Sequence, residues 1–185
     1  MSGSGQLPPF EPLAALVATL ERAGIACALG GSGLLHALGL ADQVNDWDLQ
    51  TDATHDAVRV ALSDRQAILK GRDTLHADHK LTLPDARIEV ICRFAFEVPG
   101  GVVHLPPCPD GGWRGIPLAG AEVWAIAYSL LAEGEGSARR RERAERLFEH
   151  LARRGARTDV CRALRAEPLP AALAARLDAL PRRVS

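Results

Sequence analysis

The chain has 185 residues, of which 47% are hydrophobic and 24% charged, and its formal net charge is −1. A chain of that length buries one core, or one core with a small appendage, and its composition is ordinary for a globular protein. The near-neutral total excludes the strongly basic footprint of a duplex binder, and no apolar run reaches membrane-spanning length, so neither long nucleic acid nor a membrane is an expected partner.

The start, MSGSGQLPPF, has neither the basic opening nor the apolar centre of a secretory signal, which makes a cytoplasmic protein with a flexible N-terminus (1–12) the expectation. Leu13, Leu16, Val17 and Leu20 then recur at helical spacing up to a stop at Gly24. IACALG (25–30) reads as a short buried strand, and SGLLHALGL as a helix whose apolar side is Leu34, Leu35 and Leu38. VNDWDLQT (44–51) alternates as a strand, with Asp46 and Asp48 on one face and Trp47 and Leu49 on the other. A helix through DAVRVAL partly buries Val58, Val60, Ala61 and Leu62. HKLTL (79–83) and ARIEVICRF (86–94) flank Pro84-Asp85 as a tight hairpin. Residues 96–117, with PPCPDGGWRG, read as a loop and as the boundary between an α/β domain (13–117) and a C-terminal helical segment (118–181). In that segment AEVWAIAYSLLAE is strongly apolar, SARRRERAERLFEHLARRG is amphipathic, and TDVCRAL and PAALAARLDAL complete a small bundle. No internal repeat is present. The expected fold is α/β (α+β), a small mixed sheet with helices on one side followed by helices.

Four cysteines, at 27, 92, 108 and 161, form no CxxC pair. Cys27 and Cys92 sit in apolar runs as buried free thiols, while the even count leaves a disulfide open. Residues 1–92 carry 12 acidic and 7 basic side chains, and residues 93–185 carry 11 and 15. An acidic front and a basic back suit a metal-and-anion site closed over by a second segment.

Carboxylates at i and i+2 on a strand point the same way, with Cβ atoms about 6–7 Å apart. Without a cation they repel and one must rise in pKa; with Mg²⁺ both stay ionised. Side chains leaning inward bridge two divalent ions held about 3.5–4 Å apart. Upstream, Gly30 and Gly31 allow a tight turn, and Ser32 follows where amides and a hydroxyl meet phosphate oxygens. A third oxygen ligand is expected. Glu89, inside the apolar strand ARIEVIC with Arg87 and Ile91 on its face, is the best candidate, and Asp85 is already explained by the turn.

Gly30-Gly31-Ser32, Asp46-Trp47-Asp48-Leu49 and Arg87-Ile88-Glu89-Val90 together resemble the signature of the nucleotidyltransferase superfamily with the polymerase-beta-like fold. Over residues 13–131 the similarity extends to small bacterial members related to aminoglycoside- and toxin-type enzymes. The resemblance implies that Asp46 and Asp48 bridge two Mg²⁺ ions and that Glu89 helps activate an acceptor hydroxyl. It implies that Gly31 and Ser32 hold the β- and γ-phosphates of an NTP such as ATP, and that a nucleoside monophosphate passes to a small molecule or protein with release of pyrophosphate. The main alternative it admits is a catalytically weak member that acts as a binding or regulatory partner, for example in a toxin–antitoxin pair; a homo-oligomer is compatible with either. This chain departs from the pattern in having Glu rather than Asp at 89, Gly33 after Ser32, and Asn45 before the pair.

Other residues have more than one reading. Ser32 is a helix cap or a phosphate ligand, Arg87 a salt-bridge partner of Glu89 or a phosphate contact, and Lys80 a triphosphate contact or an exposed lysine. His36 is expected to pack, Trp124 and Tyr128 to seat the helical segment, and Trp113 to offer a mobile aromatic contact to ligand. His76 and His79 in HADH lack a nearby cysteine, which disfavours zinc. ARRRERAER, broken by Glu142 and Glu145, reads as a solvated helix face with a supportive Glu142–Arg146 pair. No GxGxxG follows a strand and GGSG is not a GxSxG elbow, so a dinucleotide fold and a serine hydrolase are disfavoured.

Overall fold

In the computed structural model, which describes residues 7–183, the stripe Leu13, Leu16, Val17 and Leu20 is buried and makes Phe10–Arg22 an amphipathic helix, α1. The helix begins inside the stretch 1–12 expected to be flexible; the SGSG start lies outside the described residues. Gly24, at φ +72°, turns the chain out of the helix. Strand β1 (Ala28–Gly30) runs directly into helix α2 (Gly31–Ala37), and β2 (Trp47–Thr51) returns antiparallel to β1, with Gly30 opposite Asp48.

Helix α3 (His55–Ala61) is capped by the Thr54 hydroxyl and buries Val58, whereas Val60 is 69% exposed rather than partly buried, because it lies on the helix's outer side. Strand β3 (Ile68–Lys70) was not expected from the sequence. It is three residues long and exposed throughout, so it carries no alternation to read. Strands β4 (His79–Leu83) and β5 (Ile88–Cys92) form the expected hairpin about a single 3₁₀ turn at Pro84–Ala86. The five strands lie in the order β1-β2-β5-β4-β3, and the parallel β2–β5 pair makes the sheet mixed.

Residues 96–117, expected to be loop, hold most of two small antiparallel hairpins. One joins β6 (Ala95–Val98) to β7 (Gly101–His104), and the other β8 (Gly112–Trp113) to β9 (Ile116–Pro117). Gly111 and Gly115 occupy left-handed backbone at φ +73° and +82° around the second hairpin, so glycines that resemble loop composition are turn positions. The C-terminal helical region comprises α4 (Ala121–Glu135), α5 (Ala138–Arg154), α6 (Thr158–Arg165) and α7 (Ala171–Asp178). Strand β10 (Ala156–Arg157), ahead of α6, pairs in parallel with β11 (Arg182–Arg183), which follows α7. Among the described residues no helix is long and apolar enough to cross a membrane.

The sheet has two unlike faces, set by the alternation of its central strands. Trp47, Leu49, Ile88, Val90, Leu81 and Leu83 are buried on the side of α1 and α3. The Trp47 indole donates to the Pro9 carbonyl at 3.1 Å, at the start of α1. On the opposite face, Gln50 accepts from the Trp124 indole at 3.1 Å and so fixes α4 against the sheet. All four cysteines are free; burial pushes the Cys27 and Cys92 thiols up to about 12, which leaves them inert.

Trp47 is fully buried and links α1 to the sheet. Trp47→Ala is expected to cost about 3–5 kcal/mol of unfolding free energy, measured by urea unfolding followed by circular dichroism.

Candidate active site

Asp46 stands just ahead of β2, Asp48 lies within it, and Glu89 is opposite Asp48 in the parallel register with β5. Each of the three can offer a carboxylate oxygen such that all three oxygens lie within 4.8 Å of one another. Three half-buried oxygen donors that close, on unlike strands, suit one hard divalent cation. They open into a pocket of about 410 Å³ whose other walls include Lys80, Trp124, Tyr128 and Arg143.

The electrostatics follow from this crowding. Burial raises the Asp48 carboxyl to about 7, and the neighbouring charges of Asp46 and Glu89 push the same way, against Lys80 and Arg143. Glu89 is less isolated: Lys70 Nζ lies 3.7 Å and Lys80 Nζ 3.6 Å from its two oxygens, and Thr82 Oγ1 donates at 3.5 Å. Burial pushes the Tyr128 phenol up, so it stays protonated while Arg143 donates to its oxygen at 3.2 Å.

The glycine turn meets the carboxylates from the side. Gly31 has φ +56°, and a Cβ there would fall on the Asp48 carboxylate, so only glycine permits this approach. Gly30 has a different task, because a Cβ on it would overlap the Trp124 indole that packs there. Ser32 is 2% exposed and sits inside the first turn of α2 rather than capping it; its hydroxyl donates to the Asp46 carbonyl at 3.4 Å.

Two residues sit elsewhere than the sequence leads one to expect. Arg87 adopts left-handed backbone (φ 53°) after the 3₁₀ turn, ahead of the first residue of β5, so it leaves the face of Glu89. Its guanidinium donates to the Asn45 carbonyl instead, and Lys70 and Lys80 take the place beside Glu89. Trp113 packs at 5.6–5.9 Å on Phe10, His36 and Trp47, on the face of the sheet away from the carboxylates, and is no ligand contact from there. His36 packs as expected, and of the HADH pair His76 lines the acidic pocket while His79 stacks on His55 at 4.3 Å.

The largest addition comes from α5. Arg139, Arg140 and Arg143 line the same pocket as the carboxylates. The stretch ARRRERAER is thus not merely a solvated face, although the Glu142–Arg146 pair forms at 2.5 Å as its spacing requires. A signal was present in the spacing, since Arg143 stands at i+4 from Arg139 and i+3 from Arg140, and such residues are neighbours on a helix. What the sequence could not supply was the direction of that side. Ser137 caps α5 by accepting from the Arg140 amide, and Glu135 holds the Arg140 side chain at 2.6 Å, which sets the first turn at the pocket's rim.

A folded-state pKa of about 7 against an ordinary value of 3.8 means that Asp48 stabilises the fold below about pH 4 and loses that contribution as pH rises through 7. In chelator, the melting temperature of the parent is expected to fall over this window relative to Asp48→Asn. At pH 8 added Mg²⁺ should raise the parent and leave the variant unmoved. Thermal scans from pH 4 to 8 with and without Mg²⁺ check both.

No family model matches the chain, and no curated protein matches it in sequence. Solved structures do match in shape. One is the crystal structure of a Thermotoga maritima protein proposed to be a nucleotidyltransferase, with TM-score 0.53 and 16% identity, over 74% of this chain and 93% of that one. Another is the solution structure of the antibiotic-resistance factor ANT(2'')-Ia, with TM-score 0.55 and 13% identity, over 77% of this chain and 83% of that one. At such identities the likeness concerns architecture: the chain has the fold of nucleotidyltransferase-type proteins, with an acidic cluster able to hold a metal ion.

Proposed function

We propose that this protein is a Mg²⁺-dependent nucleotidyltransferase. It would move a nucleoside monophosphate from an NTP to a hydroxyl of a small molecule or protein and release pyrophosphate. The observation that carries the reading is the meeting of Asp46, Asp48 and Glu89 in one pocket that Arg139, Arg140 and Arg143 also line. Carboxylates and guanidinium groups lining one pocket make the charge pattern that a metal-bound polyphosphate completes.

Asp46 and Asp48 would hold the metal, two ions in our reading, with Glu89 as third ligand. Bound Mg²⁺ would screen phosphate charge and ease ionisation of the acceptor hydroxyl. The arginines would grip β- and γ-phosphate oxygens with paired N–H donors, and the backbone at Gly31 and Ser32 would meet the same phosphates from the turn. Lys80 would add a point charge nearby. Glu89 would accept the hydroxyl proton as the acceptor oxygen bonds to the α-phosphorus and the bond to the departing pyrophosphate breaks. Arg87, bound to Asn45, would support the backbone beside Asp46, at the edge of the same pocket. Four free thiols suit a reducing compartment, and we place the protein in the cytoplasm.

Isothermal titration with each of the four NTPs, ATP first, in the presence of Mg²⁺ tests the reading. The D46N/D48N double variant is expected to lose at least about tenfold in metal-supported affinity; equal binding by parent and variant would overturn it. Turnover is then followed as pyrophosphate release with hydroxylated acceptors. Arg143→Ala is expected to weaken NTP binding by about tenfold or more while changing the melting temperature little, as compared by titration and thermal scan.

A further inference from the structure

Lys70 and Lys80 are direct cross-strand partners in the antiparallel β3–β4 pair. Like charges placed opposite one another destabilise a sheet unless an anion lies between or beside them. Here that anion is Glu89, one strand further in, whose Oε1 is 3.7 Å from Lys70 and whose Oε2 is 3.6 Å from Lys80. The carboxylate is thus straddled, one ammonium at each oxygen. Both separations exceed the 2.7–2.9 Å of a tight charge-assisted hydrogen bond. The lysines therefore hold Glu89 electrostatically, in a way that can be traded for another partner. Lys70 is also 61% exposed, on the edge strand.

One oxygen of the same Glu89 carboxylate lies within 4.8 Å of a carboxylate oxygen of Asp46 and of Asp48. A metal and two ammoniums compete for the charge of this one carboxylate, and ammoniums that share it with a metal have charge to offer another anion. On the nucleotidyltransferase reading, that anion is the polyphosphate. We propose that Lys70 and Lys80 form a clamp on Glu89 in the nucleotide-free protein. The clamp passes to the nucleotide's phosphates on binding and so releases the third carboxylate to the metal. Lys70, on a strand with no alternation to mark it, is then a positioning residue for Glu89 and a selector for phosphate-rich ligands. Metal and nucleotide binding become coupled through one carboxylate, by the reciprocity that any such linkage obeys.

The test is calorimetric and needs no turnover. Mn²⁺ alone is titrated into the parent, K70A/K80A, Lys70→Arg and D46N/D48N, and a non-hydrolysable ATP analogue is titrated into the same proteins in chelator. Thermal scans confirm that each variant is folded. Removing the lysines is expected to tighten Mn²⁺ by about fivefold or more, the sum of two modest ion pairs, and to weaken the analogue by a similar factor. Lys70→Arg should keep both parent values. The opposite signs are the signature, since a merely structural role would weaken both. Unchanged Mn²⁺ affinity in K70A/K80A would overturn the clamp and leave the proposed function standing. Equal Mn²⁺ binding by parent and D46N/D48N, or by neither, would remove both.

Discussion

The parallel pairing of β2 with β5 is the constraint on which the site depends. It sets Asp48 beside Glu89 in register, on a face that α4 partly covers. Two carboxylates so placed, with Asp46 one step behind, repel one another in a setting that water only partly screens. The cost is visible in the Asp48 carboxyl, raised to about 7 mainly by burial. A fold that served stability alone would replace such a group with an apolar one. Its retention is understandable where a cation relieves the repulsion.

Around that cluster the chain supplies positive charge from three separate places. Lys70 and Lys80 approach along the sheet, while Arg139, Arg140 and Arg143 descend from α5. The pocket therefore carries both signs at close range, and only part of that charge is paired off. Glu89 is shared by two lysines and Arg140 is held by Glu135, whereas Arg143 leans on the neutral phenol of Tyr128. A polyanion with its metal fits this division, because each component satisfies one wall. The acidic front and basic back of the sequence are the linear trace of the same arrangement.

The glycine turn and the tryptophans show how closely packing and site are joined. Gly30 lets Trp124 lie on the end of β1, and Trp124 in turn donates to Gln50 of β2. Gly31 brings backbone onto Asp48. Adjacent glycines that look equivalent in sequence thus serve different ends, one the seating of α4 and the other the carboxylate cluster. The Trp47 side of β2 anchors α1, so one five-residue strand fixes a helix on each face of the sheet.

Sequence alone determined what lay in short-range pattern. The helical stripe of α1, the alternation that puts Asp46 and Asp48 on one side, the Pro84-Asp85 hairpin and an acid in an apolar strand were all legible, because period and turn chemistry act within a few residues. Tertiary structure decided the rest. Arg87 left the face of Glu89 because the 3₁₀ turn put it in left-handed backbone, and Trp113 joined an aromatic cluster with residues 66 to 103 positions away. β3 became a strand only by pairing with β4, and the arginines of α5 became part of a pocket only through the angle at which that helix docks. Amphipathic spacing says which residues share a side, and only the packing of distant elements says what that side meets.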